Sequence, residues 1–216
     1  MKIYVYPLSA PSRFVMAVCQ HAGIDFEPVE VDLTAQEQKT EAHIKRHPHG
    51  KVPVLEDGDF TLFESSAIVR YLLDTKKPGN TLYPTDIKTR AKINQLLGSL
   101  NDLRGAQFII TAGKIMLPRQ GKSMPQKIID FGEFAYKEAL TKVNELIVGK
   151  KHAVGDSITV VDFMFAEMMM NAKMIKTDFE HDYPNLHAYY KGLIEEIPVL
   201  KEHEQCVDDT IEMLSA

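Results

Sequence analysis

The chain predicts a small α/β sandwich followed by an all-α domain, and three features of its pattern carry that expectation. Two short apolar runs flank Asp57-Gly58, the chain opens as strand, loop and helix, and strand-like alternation disappears beyond Lys76-Lys77-Pro78-Gly79-Asn80. Asp-Gly between apolar runs signals a hairpin, because both central residues of a primed turn take positive φ. Strands this short are unstable as an isolated pair, so flanking elements must complete the sheet.

Taken in order, Lys2-Ile3-Tyr4-Val5-Tyr6 reads as a buried strand ended by Pro7, which has no N–H for a ladder. From Ser12 the apolar residues Phe14, Ala17, Val18 and Ala22 recur at helical spacing, and Gly23 supplies the stop. Residues 26–31 form a second strand, which Pro28 places at an edge. A polar stretch rich in Gln, Lys and His, helical or irregular, leads to the hairpin, and a helix runs from Glu64 to about Asp74. The Pro-Gly break sets the expected boundaries: a first domain over 1–76, a linker over 77–85 and a helical domain over 86–216. Helical patterns there cover roughly 86–117, 124–148, 159–175, 184–195 and 199–214. Thr159-Val160-Val161-Asp162 has capping-box spacing, with the Thr hydroxyl expected to take a backbone N–H. The helix it opens is apolar nearly all round, which predicts burial in the middle of its bundle.

Composition narrows the functional classes. With 216 residues, 44% of them hydrophobic, the chain can bury a real core. A formal net charge of -5 and a pI near 5.9 speak against a nucleic-acid surface. No run approaches the roughly 18 apolar residues of a membrane span, and the first residues already read as a strand, so neither secretion nor insertion is expected. Cys19 and Cys206 lie far apart, outside any Cys-x-x-Cys pair, which predicts no disulfide framework and a cytoplasmic setting. His43, His47 and His49 raise a metal site, but no nearby cysteine or carboxylate completes it and none is expected.

Four stretches then stand in a fixed order: Ser9-Ala10-Pro11-Ser12-Arg13, Gly50-Lys51-Val52-Pro53, Asp57 to Ser65 with Ala67-Ile68, and Thr159 to Phe163. Together they resemble the cytosolic glutathione transferases, in particular the serine-type theta and phi classes, over essentially the whole length. The resemblance implies an α+β, thioredoxin-like N-terminal domain followed by an all-α helical-bundle C-terminal domain. It implies conjugation of the glutathione thiolate to small hydrophobic electrophiles, glutathione as co-substrate with no other cofactor and no metal, and a homodimer in the cytoplasm.

Such a site must make a thiolate at neutral pH. A free thiol has a pKa of about 8.5, and each unit of depression needs about 1.4 kcal/mol of preference for the charged form. One hydrogen bond to the ion, worth about 1.5–3 kcal/mol, suffices. Ser9, between strand and helix, could give that bond while the following helix N-terminus adds positive potential; alternatively it only shapes a turn. Ser12 is the neighbouring candidate and also reads as an N-cap. Tyr4 and Tyr6 lie inside the strand, before the loop. Glu64-Ser65 offers a carboxylate for the α-amine of a γ-glutamyl group and donors for the adjoining carboxylate, alongside a plain capping role. By resemblance, the Val52-Pro53 bond is cis and Val52 pairs with the cysteinyl part of the tripeptide, while Lys51 meets its glycine carboxylate.

Gln38-Lys39 falls where related enzymes resemble each other in having a histidine and a small polar or basic residue; Gln38 can donate but carries no charge. His47 and His49 also depart from the commoner Asn-Pro-aromatic pattern. Asn101-Asp102-Leu103-Arg104-Gly105 looks like the theta-class segment whose arginine faces the electrophile, with Phe108, Thr111, Ile115 and Met116 as an apolar wall; surface pairing and core packing are the alternatives. The methionines between Met164 and Met174 could form a binding face, but their helix favours core packing. A non-catalytic ligand-binding or regulatory protein of the same fold and a glutathione-dependent peroxidase are the other functional readings. A thiol-disulfide exchanger would want cysteine where Ser9 and Ser12 stand.

Overall fold

The computed structural model describes residues 1–215. Its first part runs β1 (Lys2–Val5), α1 (Ala10–Ala22), β2 (Glu27–Glu30), a 3-10 turn (Glu37–Lys39), α2 (Glu41–Arg46), β3 (Val54–Asp57), β4 (Phe60–Phe63) and α3 (Ser65–Lys76). The four strands form one sheet in the order β2-β1-β3-β4. β2 runs parallel to β1 in the register Lys2↔Glu27, and β3 is antiparallel to both β1 and β4. β2 is an edge strand, as Pro28 requires, since an edge leaves one side of the backbone unpaired.

The hairpin corrects one expectation. Asp57 pairs directly with Phe60, so the two-residue loop is Gly58-Asp59, and only Gly58 takes positive φ, at 68°. Asp57 closes the ladder instead of sitting in the turn, and its carboxylate accepts a hydrogen bond from Tyr71 and pairs with Lys76 of α3 at 2.7 Å. α1 likewise begins earlier than its apolar spacing suggests. Ser9, not Ser12, is its N-cap, because Pro11 is tolerated in the first turn where no intrahelical N–H is needed.

The second part comprises α4 (Ile87–Thr111), α5 (Leu117–Arg119), α6 (Gln126–Leu146), α7 (Val160–Met174), α8 (Phe179–Asp182), α9 (Pro184–Glu196) and α10 (Pro198–Ser215). The expected helix over 86–117 is one long axis with a change of winding: Ala112–Met116 is a π turn between α4 and α5. Pro118 lacks an N–H and would crowd the carbonyl four residues back, so the chain widens ahead of it. The short helix α8 carried no periodic signal. Among the described residues no helix is long and apolar enough to cross a membrane.

α7 is the axis of the bundle, and every residue from Val160 to Met170 is buried. The capping box forms through its acid: the Asp162 carboxylate accepts from the Thr159 N–H at 2.7 Å and the Thr159 hydroxyl at 3.0 Å. It also takes the Ala153 N–H and the Tyr189 hydroxyl, and in return the Thr159 side chain takes the Asp162 backbone N–H, the capping-box contact that the spacing predicts. The segment ahead of α4 is tied to this start by the Val160 N–H, which donates to the Leu82 carbonyl at 3.0 Å. α1 is deeply buried, with Phe14, Val15, Val18 and Cys19 at 1% exposure or less, because it packs against α7, α3 and α10. Burial pushes the Cys19 thiol up to about 12, so it stays protonated and inert. Cys206 is exposed, and both cysteines are free.

One charged pair crosses this apolar layer. Arg13 Nε of α1 donates to Glu167 Oε2 of α7 at 2.6 Å, with both side chains no more than 2% exposed. Arg13 also donates to the Pro7 carbonyl at 2.9 Å and to Asn171 Oδ1, and Glu167 Oε1 faces His203 Nδ1 of α10 at 2.6 Å. Glu167→Ala leaves the guanidinium buried without its counter-ion and is expected to cost about 3–5 kcal/mol. Urea unfolding midpoints test this, and a loss below about 1 kcal/mol would show that the pair holds nothing together.

Candidate active site

The site lies where the turn before β3, the start of α3 and the middle of α4 converge. There a partly open cleft is lined by Pro11, His47, Lys51, Val52, Pro53, Glu64, Ser65 and Arg104. Each lining group is placed by a local feature. The Val52-Pro53 peptide is cis and turns the chain into β3, presenting Val52 to the cleft. His43, buried in α2, bonds the Lys51 carbonyl through Nε2 at 2.8 Å and braces the loop from beneath. Gly50 has φ of 56°, and a Cβ there would stand 2.6 Å from the Gln38 carbonyl and 3.2 Å from Lys39 Nζ. Only glycine lets the 3-10 turn with Gln38 and Lys39 pack against this loop. Gln38 Oε1 is buried without a hydrogen-bond partner.

Glu64 is the strained member. Its φ of 73° and ψ of 107° fall where non-glycine residues are rarely found. Its carbonyl accepts from the Ala67 and Ile68 N–H groups at 2.8 and 2.9 Å, which starts α3, while its side chain makes no capping bond. The carboxylate is therefore free for the cleft. Ser65, buried in the first turn of α3, places a hydroxyl at that helix N-terminus.

On the other wall Arg104 of α4 donates through Nη2 to Asn101 at 3.3 Å, and its buried Nε has no partner. Burial lowers the Arg104 pKa, and Glu64 opposes that shift. Guanidinium stays charged regardless, so the cleft holds an under-paired cation. Lys51 and Arg104 against Glu64 make the lining net positive, which suits a ligand with two carboxylates and one amine.

Ser9 stands beside the cleft on the turn whose Pro11 lines it. Its Oγ accepts from the Ser12 N–H at 3.4 Å, leaving the hydroxyl proton free to donate. Ser12 is fully buried, and its Oγ accepts from the Tyr6 N–H at 3.2 Å, which closes the loop from inside. Tyr4 is committed elsewhere: its hydroxyl donates to Glu56 at 2.8 Å and Arg46 lies over its ring. Phe108, Thr111, Ile115 and Met116 do not line the cleft. Phe108 and Thr111 share the Arg104 face of α4 at helical spacing, Thr111 bonding back to the Gln107 carbonyl, and the π turn carries Ile115 and Met116 onward. Phe108 is 59% exposed.

Sequence reading missed Pro11 and His47 as cleft residues and Glu167 as the buried partner of Arg13. The last left a trace, as a lone acid in an otherwise apolar helix. Among the described residues no cluster of three or more His, Cys, Asp or Glu side chains could hold a metal ion. His43 is engaged with the Lys51 carbonyl, and His47 stacks on Phe63.

Similarity to known proteins extends over both halves of the chain. One family model, described as the glutathione S-transferase N-terminal domain, matches residues 1–74, and a second, the glutathione S-transferase C-terminal domain, matches residues 117–206. Human glutathione S-transferase theta-2B is 29% identical over 197 residues, covering 90% of this chain and 80% of that protein. Maize glutathione S-transferase 1 is 28% identical over 211 residues, covering 93% and 94%. Among solved structures, human glutathione transferase theta-2, in complex with glutathione and an unknown ligand, aligns with a TM-score of 0.86 at 28% identity over 98% of this chain and 88% of that one. A diazinon-metabolizing glutathione S-transferase of the silkworm Bombyx mori aligns with a TM-score of 0.83 at 26% identity over 97% and 98%. With both halves matched in order and the thioredoxin-like sheet joined to its helical bundle, the chain belongs to the glutathione S-transferase family.

Proposed function

We propose that this chain is a glutathione transferase that stabilises the glutathione thiolate with the Ser9 hydroxyl and delivers it to small hydrophobic electrophiles. The observation that carries the reading is Glu64: a carboxylate held at strained φ, uncommitted to capping, in one cleft with Lys51, Ser65 and Arg104. Strain of about 1–3 kcal/mol persists where the surrounding structure demands it, and such sites cluster at ligand clamps.

In this reading Glu64 takes the γ-glutamyl amine, and Ser65 with the α3 N-terminus takes the adjoining carboxylate. Val52 pairs with the cysteinyl backbone. Lys51, with Gln38 and Lys39 behind it, meets the glycine carboxylate. The thiol then falls beside the Ser9 turn, where one charge-assisted bond of about 1.5–3 kcal/mol lowers its pKa by about one to two units. The α1 N-terminus adds to this. Ser9 is favoured over Ser12 because the Ser12 side chain is fully buried, whereas Ser9 is only partly so. Arg104 would hold an anionic leaving group, with Phe108, Thr111, Ile115 and Met116 extending the apolar wall.

The division at residues 77–85, a cytoplasmic location and a two-fold dimer belong to the same proposal. The dimer is supported by large aromatics left exposed: Phe60 on the hairpin, and Phe131 and Phe134 on α6 at 64% and 65%.

Turnover of glutathione with aryl halides, isothiocyanates and hydroperoxides tests the activity. Conjugation is expected with at least one carbon electrophile; binding without turnover would instead mark a ligand-binding protein, and hydroperoxide reduction alone a peroxidase. Ser9→Ala is expected to lower kcat by roughly 10–100-fold and raise the bound thiol's pKa by about one to two units, while the glutathione Kd stays within about threefold. The thiolate absorbance of the binary complex against pH reads this, and an unmoved titration would remove Ser9 from the role. Glu64→Ala is expected to weaken glutathione by about 2–4 kcal/mol through loss of a charged hydrogen bond. Calorimetry giving the wild-type Kd would exclude Glu64 from the grip.

A further inference from the structure

His47 connects the two sides of the cleft. It is 3% exposed, and its ring stacks on Phe63 with centroids 4.5 Å apart and planes 29° from parallel. Phe63 is the last residue of β4, directly before the strained Glu64. On its other side His47 closes the turn that delivers Lys51. Its Nδ1 accepts from the His49 N–H at 3.3 Å, and its carbonyl accepts from the Gly50 N–H at 2.8 Å. One imidazole therefore ties the loop carrying Lys51 to the step carrying Glu64.

The bond at Nδ1 requires a lone pair there, so the ring is neutral and carries its proton on Nε2. A second proton would sit on Nδ1 and face the His49 N–H donor to donor. We propose that His47 is a positioning residue of the cleft, holding the Lys51 loop and the Glu64 step together while neutral and loosening the grip on glutathione when protonated. The inference rests on the reading of this cleft as a glutathione site.

The surroundings agree on the sign. Burial, the largest influence, holds His47 below its ordinary pKa, and His43, His49 and Lys51 push the same way, while Glu64 alone opposes them. Arg104 shares the cleft, and Lys39 Nζ lies 3.2 Å from the position a Gly50 Cβ would take. A group whose pKa is lowered in the structured cleft contributes fully above its ordinary value, near 6.5, and the contribution is lost as pH falls through the lowered one. Free glutathione has carboxylates that titrate lower than this window and an amine and thiol that titrate higher, so affinity changes there belong to the protein.

The test is calorimetric titration of glutathione into the full chain at pH 7.5 and 5.5, with kcat and KM measured in parallel. For the wild type, Kd is expected to rise several-fold at the lower pH, by at most about tenfold per pH unit, with kcat moving less than KM. His47→Asn keeps a side-chain acceptor for the His49 N–H but neither stacks on Phe63 nor titrates, so it should bind several-fold more weakly than wild type at pH 7.5 and lose most of the pH dependence. His47→Ala should bind about tenfold more weakly at both values, and His49→Asn, altering an exposed neighbour, should keep the wild-type profile.

A wild-type chain that binds no glutathione at either pH overturns the glutathione reading itself. A chain that binds, but whose pH dependence survives in His47→Asn or is abolished in His49→Asn, overturns only the role of His47. Wild-type affinity in His47→Ala does the same. If His47→Ala melts early, the His47→Asn comparison still decides.

Discussion

The structure depends on one buried ion pair. Arg13 and Glu167 meet at 2.6 Å in the layer where α1 packs on α7, among side chains that offer them no water. Desolvating two charges costs several kcal/mol each, and only near-complete hydrogen bonding offsets that. Here it is nearly complete: Arg13 reaches Glu167, Asn171 and the Pro7 carbonyl, and Glu167 reaches Arg13 and His203. A misplaced α1 would strand both charges, so the pair admits one docking of the sheet layer on the helical bundle. Through Pro7 it also anchors the turn from β1 to Ser9, which connects global packing to the hydroxyl proposed for catalysis.

The cleft is made of small conflicts held by that frame. Glu64 keeps positive φ without being glycine, Gly50 accepts an approach no other residue would permit, and Arg104 keeps a buried Nε without a partner. Each costs stability that a structural loop would have no reason to retain. Their sum is a net-positive cleft with one free carboxylate, matching a peptide that carries two negative charges and one positive. The α/β half supplies most of this recognition, and the helical half supplies Arg104 and the face running on from it. Under the proposed function, that division would let one part hold the co-substrate while the other varies with the electrophile.

Much of this was legible in advance because it was written locally. The hairpin, the helix stop at Gly23, the edge position of Pro28 and the buried character of α7 follow from turn chemistry and periodicity, which act over a few residues. The turn itself was misplaced by one position, since Asp-Gly identifies a hairpin but cross-strand pairing decides which residues occupy the loop. α8 and the π turn escaped because four or five residues are too few for a period to show. Lys51, Val52, Glu64 and Ser65 could be named from their order in the sequence and line one cleft, whereas for Phe108, Thr111, Ile115 and Met116 helical spacing gives a shared face and not what that face meets.

The amino-acid sequence by itself thus determined the elements, their order and the residue types able to grip a charged tripeptide, all of which depend on short-range chemistry. Tertiary structure decided the rest. It buried Ser12 completely, with its oxygen on the Tyr6 N–H, and left Ser9 only partly buried, the difference on which the proposed role of Ser9 rests. It turned His47 from a departure in a pattern into the joint between two loops, and it paired Arg13 with a glutamate 154 residues away. Each of these is a question of which partner satisfies a buried polar group, and such partners are fixed only when distant segments pack.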